Sequence, residues 1–262
     1  MNALRSTVKE LLGSGAIDVF VGYEKGTRLP RPLLAASADE ADKLIFDETC
    51  TGNLAVYLTR KDLVGGKKAG VAASWYAMRS ICRLLDENQL QEGAVKVFGL
   101  TPEGDLKPFD TLADLKQHVQ ETPPPPKPVE DEWVREIDAM PAAERWKFWT
   151  GELSKCFKCY ACRAACPMCY CTKCIVEVNR PQWLQPWAAT MSNVEWQLNR
   201  VMHMAGRCAD CGACGAACPL GLPVHIIAHK MAKLVAQSFG EPTDKGSVLS
   251  TFNPNDEENF IL

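Results

Sequence analysis

Two stretches hold the residues whose types and spacing could do chemistry. Cys156 to Pro167 reads CFKCYACRAACP, and Cys208 to Pro219 reads CADCGACGAACP. Each is C-x2-C-x2-C-x3-C-P, a run suited to a cubane of four irons and four sulfides. Each iron takes tetrahedral sulfur coordination, so one 4Fe–4S cluster needs four thiolates at its corners. Closely spaced thiolates wrap one cubane when the backbone turns tightly and aims its amides inward, where they offset the cluster's negative charge. Gly212 and Gly215 suit such turns, because glycine tolerates positive φ.

In chains with two such runs, the fourth cysteine of each ordinarily ligates the other cluster. The expected ligand sets are therefore Cys156, Cys159, Cys162 and Cys218 for one cluster, and Cys208, Cys211, Cys214 and Cys166 for the other. Zinc and disulfides are the alternatives. Zinc takes two C-x2-C pairs and has no need of triple cysteines followed by Cys-Pro. Disulfides belong to oxidising compartments.

Thirteen cysteines leave five outside these sets: Cys50, Cys82, Cys169, Cys171 and Cys174. Three of them form CYCTKC directly after the first run, which makes a third cluster a candidate. It needs a fourth ligand from afar. Cys50, in the polar stretch DETCTGN, is the preferred donor, since a thiolate is favoured at a helix start. Cys82 shares an apolar helix face with Met78 and Leu85 and is expected to be a buried structural thiol. The alternative is that Cys169, Cys171 and Cys174 are spare or bind zinc. Lys155, Lys158, Arg163 and Lys173 surround the first run, either to attract an acidic electron carrier, to raise a cluster potential, or as solvated charges. His225 and His229 are spaced i, i+4 but lack the glutamate of H-E-x-x-H, so they read as one turn of an ordinary helix. His203 reads as a surface histidine.

The elements that must position these residues fall into two halves. The chain has 262 residues, 47% hydrophobic, with a formal net charge of −3. That is room for one large or two small domains, and the charge argues against a nucleic-acid partner. The N-terminus has no apolar signal region, and no apolar run reaches the length of a membrane span. Cysteine-rich composition without an export signal implies a reducing, cytoplasmic setting.

Residues 1–105 alternate strand and helix signals. Leu4, Val8, Leu11 and Leu12 stripe a first helix. IDVFVGY (17–23), RPLLAAS (31–37), GVAAS (70–74) and VKVFGLT (95–101) read as strands. ADEADKLIF, TGNLAVYLTR and WYAMRSICRLLDENQ read as helices. Gly65-Gly66-Lys67-Lys68 lacks the first glycine of a phosphate loop and reads as a turn. Thr111 and Asp114 are placed to cap a short helix, and TPPPPKP (122–128) is a stiff spacer.

Further on, the aromatic-rich stretch 129–155, with Trp133, Trp146 and Trp149, is expected to pack over a cluster. Ser192 and Glu195 suggest a capping box for a helix with Leu198, Val201, Met202 and Ala205 on one face. Pro223 reads as the first residue of a helix ending near Gly240. The expected fold class is α+β and multi-domain. A small N-terminal α/β domain (1–105) precedes a short helix and proline-rich linker (106–130), an α-helical dicluster ferredoxin domain (131–240) and an acidic tail (241–262).

On these residues, the stretch from CFKCYACRAACPMCYCTKC through HMAGRCADCGACGAACPLGLPVHII resembles the α-helical ferredoxins of heterodisulfide reductase C-type subunits. VGYEKGTRLPRPLLAASADEADKLIFDETCTGNLAVYL, VAASWYAMRSI and ENQLQEGAVKVFGLT are similar to the N-terminal domain of the deazaflavin-reducing hydrogenase/dehydrogenase β-subunit family. Relatives carry a Gly-Cys-Asp-type motif where this chain has Ser74, Trp75 and Tyr76. The resemblance implies an electron-transfer subunit of a multi-subunit oxidoreductase in anaerobic metabolism, related to hydrogenase, formate dehydrogenase or heterodisulfide reductase, with electron bifurcation as a further hypothesis. It places a flavin on a partner subunit and no substrate site on this chain. Rival readings are an iron–sulfur sensor or structural subunit, and a self-contained flavin-binding reductase.

Overall fold

The computed structural model describes residues 2–100, 106–178 and 180–240. It opens with helix α1 (Asn2–Gly13), whose Leu4 and Val8 are buried and whose Leu11 and Leu12 lie against the same core. Strands β1 (Val19–Glu24) and β2 (Arg31–Ala35) follow, then α2 (Ala38–Ala41), β3 (Leu44–Ile45), a 3-10 turn (Leu54–Tyr57) and α3 (Lys61–Val64). Next come β4 (Ala69–Ala73), α4 (Trp75–Asp86), β5 (Val95–Leu100), β6 (Leu106–Phe109) and α5 (Leu112–Glu121). The sheet runs β2-β1-β4-β5-β6, with β3 also paired to β1.

The pairings β1–β4 and β4–β5 are parallel, in register Val21↔Val71 and Ala72↔Phe98. The pairings β1–β2 and β5–β6 are antiparallel. The central strands are apolar at nearly every position because both faces are covered, and all five residues of β4 are buried. Phe20 from β1 and Ile81 from α4 are fully buried, each worth about 2 kcal/mol relative to exposure.

The remainder is helical: α6 (Pro128–Ala139), α7 (Ala142–Ser154), α8 (Ala161–Ala164), α9 (Thr190–His203), α10 (Ala213–Ala216) and α11 (Val224–Phe239). Here α7 packs on α9, α6 on α11, and α8 on α10. A second, smaller core gathers Leu153, Cys162, Leu184, Val194, Trp196, Leu222 and Val224. The first core extends from the sheet into the helical half through Met168 and Met204. The architecture is thus a mixed sheet plus helices, an α+β multi-domain fold. No helix among the described residues is long and apolar enough to cross a membrane.

Several elements differ from expectation. Of residues 38–46 only Ala38–Ala41 form a helical turn, because Leu44 is drawn into pairing with β1 and is fully buried. Residues 51–60 close only the 3-10 turn, capped where Asn53 accepts from the Ala55 amide at 3.1 Å. Strand β6 was not foreseen; it is an edge strand, where Pro108 costs no ladder bond. The proline stretch is not a free-standing spacer. It lies on α4, with Trp75 Nε1 donating to Thr122 O at 3.1 Å and Tyr76 Oη to Pro125 O at 2.9 Å.

Helix α9 starts two residues before Ser192, whose hydroxyl donates instead to Trp187 O at 3.0 Å. Its buried face is Asn193, Val194, Trp196, Gln197, Arg200 and Val201, while Leu198 and Met202 are exposed. Pro223 stands just before α11. In the aromatic stretch, Trp133 and Trp146 are exposed. The acidic tail, 241–262, lies outside the described residues.

Candidate metal centre

The two cysteine runs adopt one local conformation. Lys158 and Tyr160 in the first, and Asp210 and Gly212 in the second, all have positive φ, between 56° and 74°. These left-handed residues turn the loop so that the Lys158 amide donates to Cys156 Sγ and the Asp210 amide to Cys208 Sγ, each at 3.3 Å. Amides aimed at sulfur stabilise a thiolate or an anionic cluster. Of the two glycines singled out by sequence, only Gly212 has positive φ. Gly215 serves close approach: a Cβ there would stand 2.1 Å from His225 Nδ1.

The packing of α8 on α10 carries Cys166 across to the second run. Cys166, Cys208, Cys211 and Cys214 line one cavity, together with Arg200 and His225. The Cys166 thiolate is near enough to raise the pKa of the other three. Burial is the main cause of each shift, taking Cys208 to about 12 and Cys214 to about 11. Cys166 is itself raised by its hydrogen bond to Cys169, which is lowered in exchange. Bare buried thiols here stay protonated; a bound cation reverses that, because thiolate ligands give up their protons to it.

In the first run, burial raises Cys162, and Cys156 raises it further. Cys156 and Cys218 border the same apolar cluster as Cys162, while Cys159 is exposed. Cys162 also acts on Cys214, so the two sets are adjacent.

The remaining cysteines divide. Cys174 lies close enough to act on Cys169, and Cys171 is exposed. Cys50 does lie in the polar loop before the 3-10 turn, but its side chain is buried, and that burial raises its thiol. Its recorded partners are Asp47, whose amide meets Cys50 Sγ at 3.5 Å, and Tyr23. Nothing recorded among the described residues joins it to Cys169, Cys171 or Cys174. Cys82 is buried, and burial raises its thiol to about 12.

The residues fit cubane ligation. The donors are soft thiolates, and Cys166, Cys208, Cys211 and Cys214 line one cavity. His225 Nδ1, on that cavity, is buried without a hydrogen-bond partner among the described residues. Also among the described residues, no three His, Cys, Asp or Glu side chains converge to hold a single ion.

Sequence reading missed the polar residues that frame these sulfurs. Asn193 Nδ2 donates to Leu153 O at 3.1 Å and Cys156 O at 2.8 Å, fixing the entry to the first run. Gln197 Nε2 points at Cys162 Sγ, 4.0 Å away, and Arg200 Nε donates to Gln197 Oε1 at 3.1 Å. The available signal was a polar stripe at 193, 197 and 200, at helical spacing. Lys158 is buried and donates to Ser192 Oγ at 3.0 Å, so it is not a solvated charge. Lys155 and Arg163 pair with Glu152 and Glu177. His203 is exposed. His229, read as an ordinary helix residue, is held between Asp210 at 2.8 Å and Asp131 at 3.0 Å.

The sheet side closes over the second run. Asn53 hydrogen-bonds Cys211 and favours its thiolate. Arg83 donates to Cys208 O. Glu87, at the end of α4, accepts from Arg207 at 2.8 and 2.7 Å and from Tyr170.

No family model matches the chain. A stretch of 105 residues is 32% identical to the F420-dependent formate dehydrogenase subunit beta of Methanocaldococcus jannaschii, covering 39% of this chain. The match spans about a quarter (26%) of that relative's length.

Proposed function

We propose that the chain is an electron-transfer subunit of an oxidoreductase complex. The observation that carries the reading is the crossing of Cys166 to Cys208, Cys211 and Cys214 around one cavity. The similarity to a formate dehydrogenase subunit supports the oxidoreductase setting. Cys156, Cys159, Cys162 and Cys218 would hold one 4Fe–4S cluster, and Cys166, Cys208, Cys211 and Cys214 the other. Such clusters supply one-electron transfer when bound.

The chain's own residues hold, insulate and bias that site. The Lys158 and Asp210 amides brace sulfurs, Asn53 favours the Cys211 thiolate, and Met168 and Met204 exclude water between sheet and sulfurs. A third cluster at Cys169, Cys171 and Cys174, a cytoplasmic location, a flavoprotein partner and a division into domains at the proline stretch belong to the same proposal. Cys50 is the weakest part of it, given its burial beside Asp47.

Iron and acid-labile sulfide per anaerobically purified chain test the reading. About eight irons are expected for two clusters and about twelve for three. Stoichiometric zinc, or no bleaching of visible absorbance with dithionite, would reject it. Oxygen-labile clusters without reversible reduction would point to a sensor.

A further inference from the structure

Arg200 is only 3% exposed. Its hydrogen bonds among the described residues run to neutral oxygens: Nε to Gln197 Oε1 at 3.1 Å and Nη2 to Val224 O at 3.3 Å. No Asp or Glu among the described residues is recorded as its partner. A guanidinium remains charged when buried, and a buried charge without compensation is costly. The compensation here is sulfur. Arg200 lines the cavity formed with Cys166, Cys208, Cys211 and Cys214, and its partner Gln197 places Nε2 4.0 Å from Cys162 Sγ. The cavity is that of the second ligand set, and Cys162 belongs to the first. Arg200 therefore sits where the two sets meet, on the face of α9 that the rest of the helix buries.

We infer that Arg200 is the shared counter-charge of both sulfur sets, a positioning residue that makes reduction easier on each. The inference rests on the cluster reading above. Each reduction adds one electron from the titrant and brings no proton, so the site gains a full negative charge. A fixed cation nearby favours the more negative state. Because Arg200 lines the cavity of Cys166 and Cys214 and its partner Gln197 reaches Cys162 Sγ, its loss should move both midpoint potentials in the same direction.

The test is an EPR-monitored dithionite titration of anaerobic full-length protein, with iron and sulfide counted on the same samples. Arg200→Gln should make both clusters harder to reduce, by about tenfold in the reduction equilibrium, or 59 mV for one electron. Arg200→Lys, which keeps the charge, should leave both near wild type. Gln197→Glu places a carboxylate against Arg200 Nε, and should lower both potentials even if Arg200→Gln does not accumulate. Wild-type potentials at either cluster in a fully loaded Arg200→Gln or Gln197→Glu protein would overturn the inference. So would an Arg200→Lys protein whose potentials fall as far as those of the glutamine variant. Wild-type protein without two reducible clusters would instead overturn the cluster reading.

Discussion

The first cysteine run faces outward where the second faces the sheet. They share a spacing, a pair of left-handed residues and an amide-to-sulfur hydrogen bond. What differs is the cover. Cys211 lies near Asn53 and Tyr23 of the α/β half, and Arg83 donates to Cys208 O. Cys159 is exposed, and Phe157 beside it is 55% exposed. Lys158 ties the first run to the loop at Gln185, whose neighbours Trp183 and Trp187 are 57% and 64% exposed. One motif thus yields a run covered by the sheet side and a run with an exposed cysteine.

The sharpest way to break this comparison is to remove one sulfur from the covered run. Cys211→Ala should abolish one cluster signal and about four irons, and should destabilise the helical half, since its loss leaves a buried set incomplete. Thermal unfolding and iron analysis of the variant report both effects; two intact spectra would show that the ligand sets are wrong. Next in size is the order of loss. With a chelator and mild oxidant, the first cluster should disappear before the second, followed by the change in EPR of the surviving signal. Simultaneous loss would mean that the sheet does not shelter the second site.

A smaller effect concerns pH. Hydrogen bonds to Asp210 and Asp131 outweigh burial and raise the pKa of His229. Its stabilising contribution should be complete below the unfolded value of about 6.5. It should fade as pH rises through the raised folded value, because the folded state holds the proton longer than the unfolded state. In urea denaturation, the stability gap between wild type and His229→Gln should therefore narrow from pH 6 to pH 9. A gap that widens would put the proton elsewhere. The smallest effect belongs to Cys82→Ala, which should leave the iron content unchanged while costing about 1 kcal/mol of packing. Loss of about four irons would make Cys82, rather than Cys50, the distant ligand.

Much of the α/β layer is legible in the sequence, because strands such as IDVFVGY and GVAAS are apolar runs bounded by turn residues and α4 has a strong apolar stripe. The failures have local causes. The stretch 38–46 has helix-forming residues, but pairing of Leu44 with β1 overrides them. On α9, sequence favours the apolar face of Leu198 and Met202, whereas the helix buries Asn193, Gln197 and Arg200, which bond the Leu153, Cys156 and Val224 carbonyls and reach Cys162 Sγ. Cys50 reads as polar from DETCTGN, yet folding packs it beside Tyr23.

Spacing by itself determined the donor chemistry, since two C-x2-C-x2-C-x3-C-P runs commit their thiolates and turns within a dozen residues each. Tertiary structure alone decided that the second run meets the sheet side and that Cys159 of the first meets solvent. Those are contacts among segments far apart in the chain, and a polar stripe on a helix does not by itself name the sulfur it will meet.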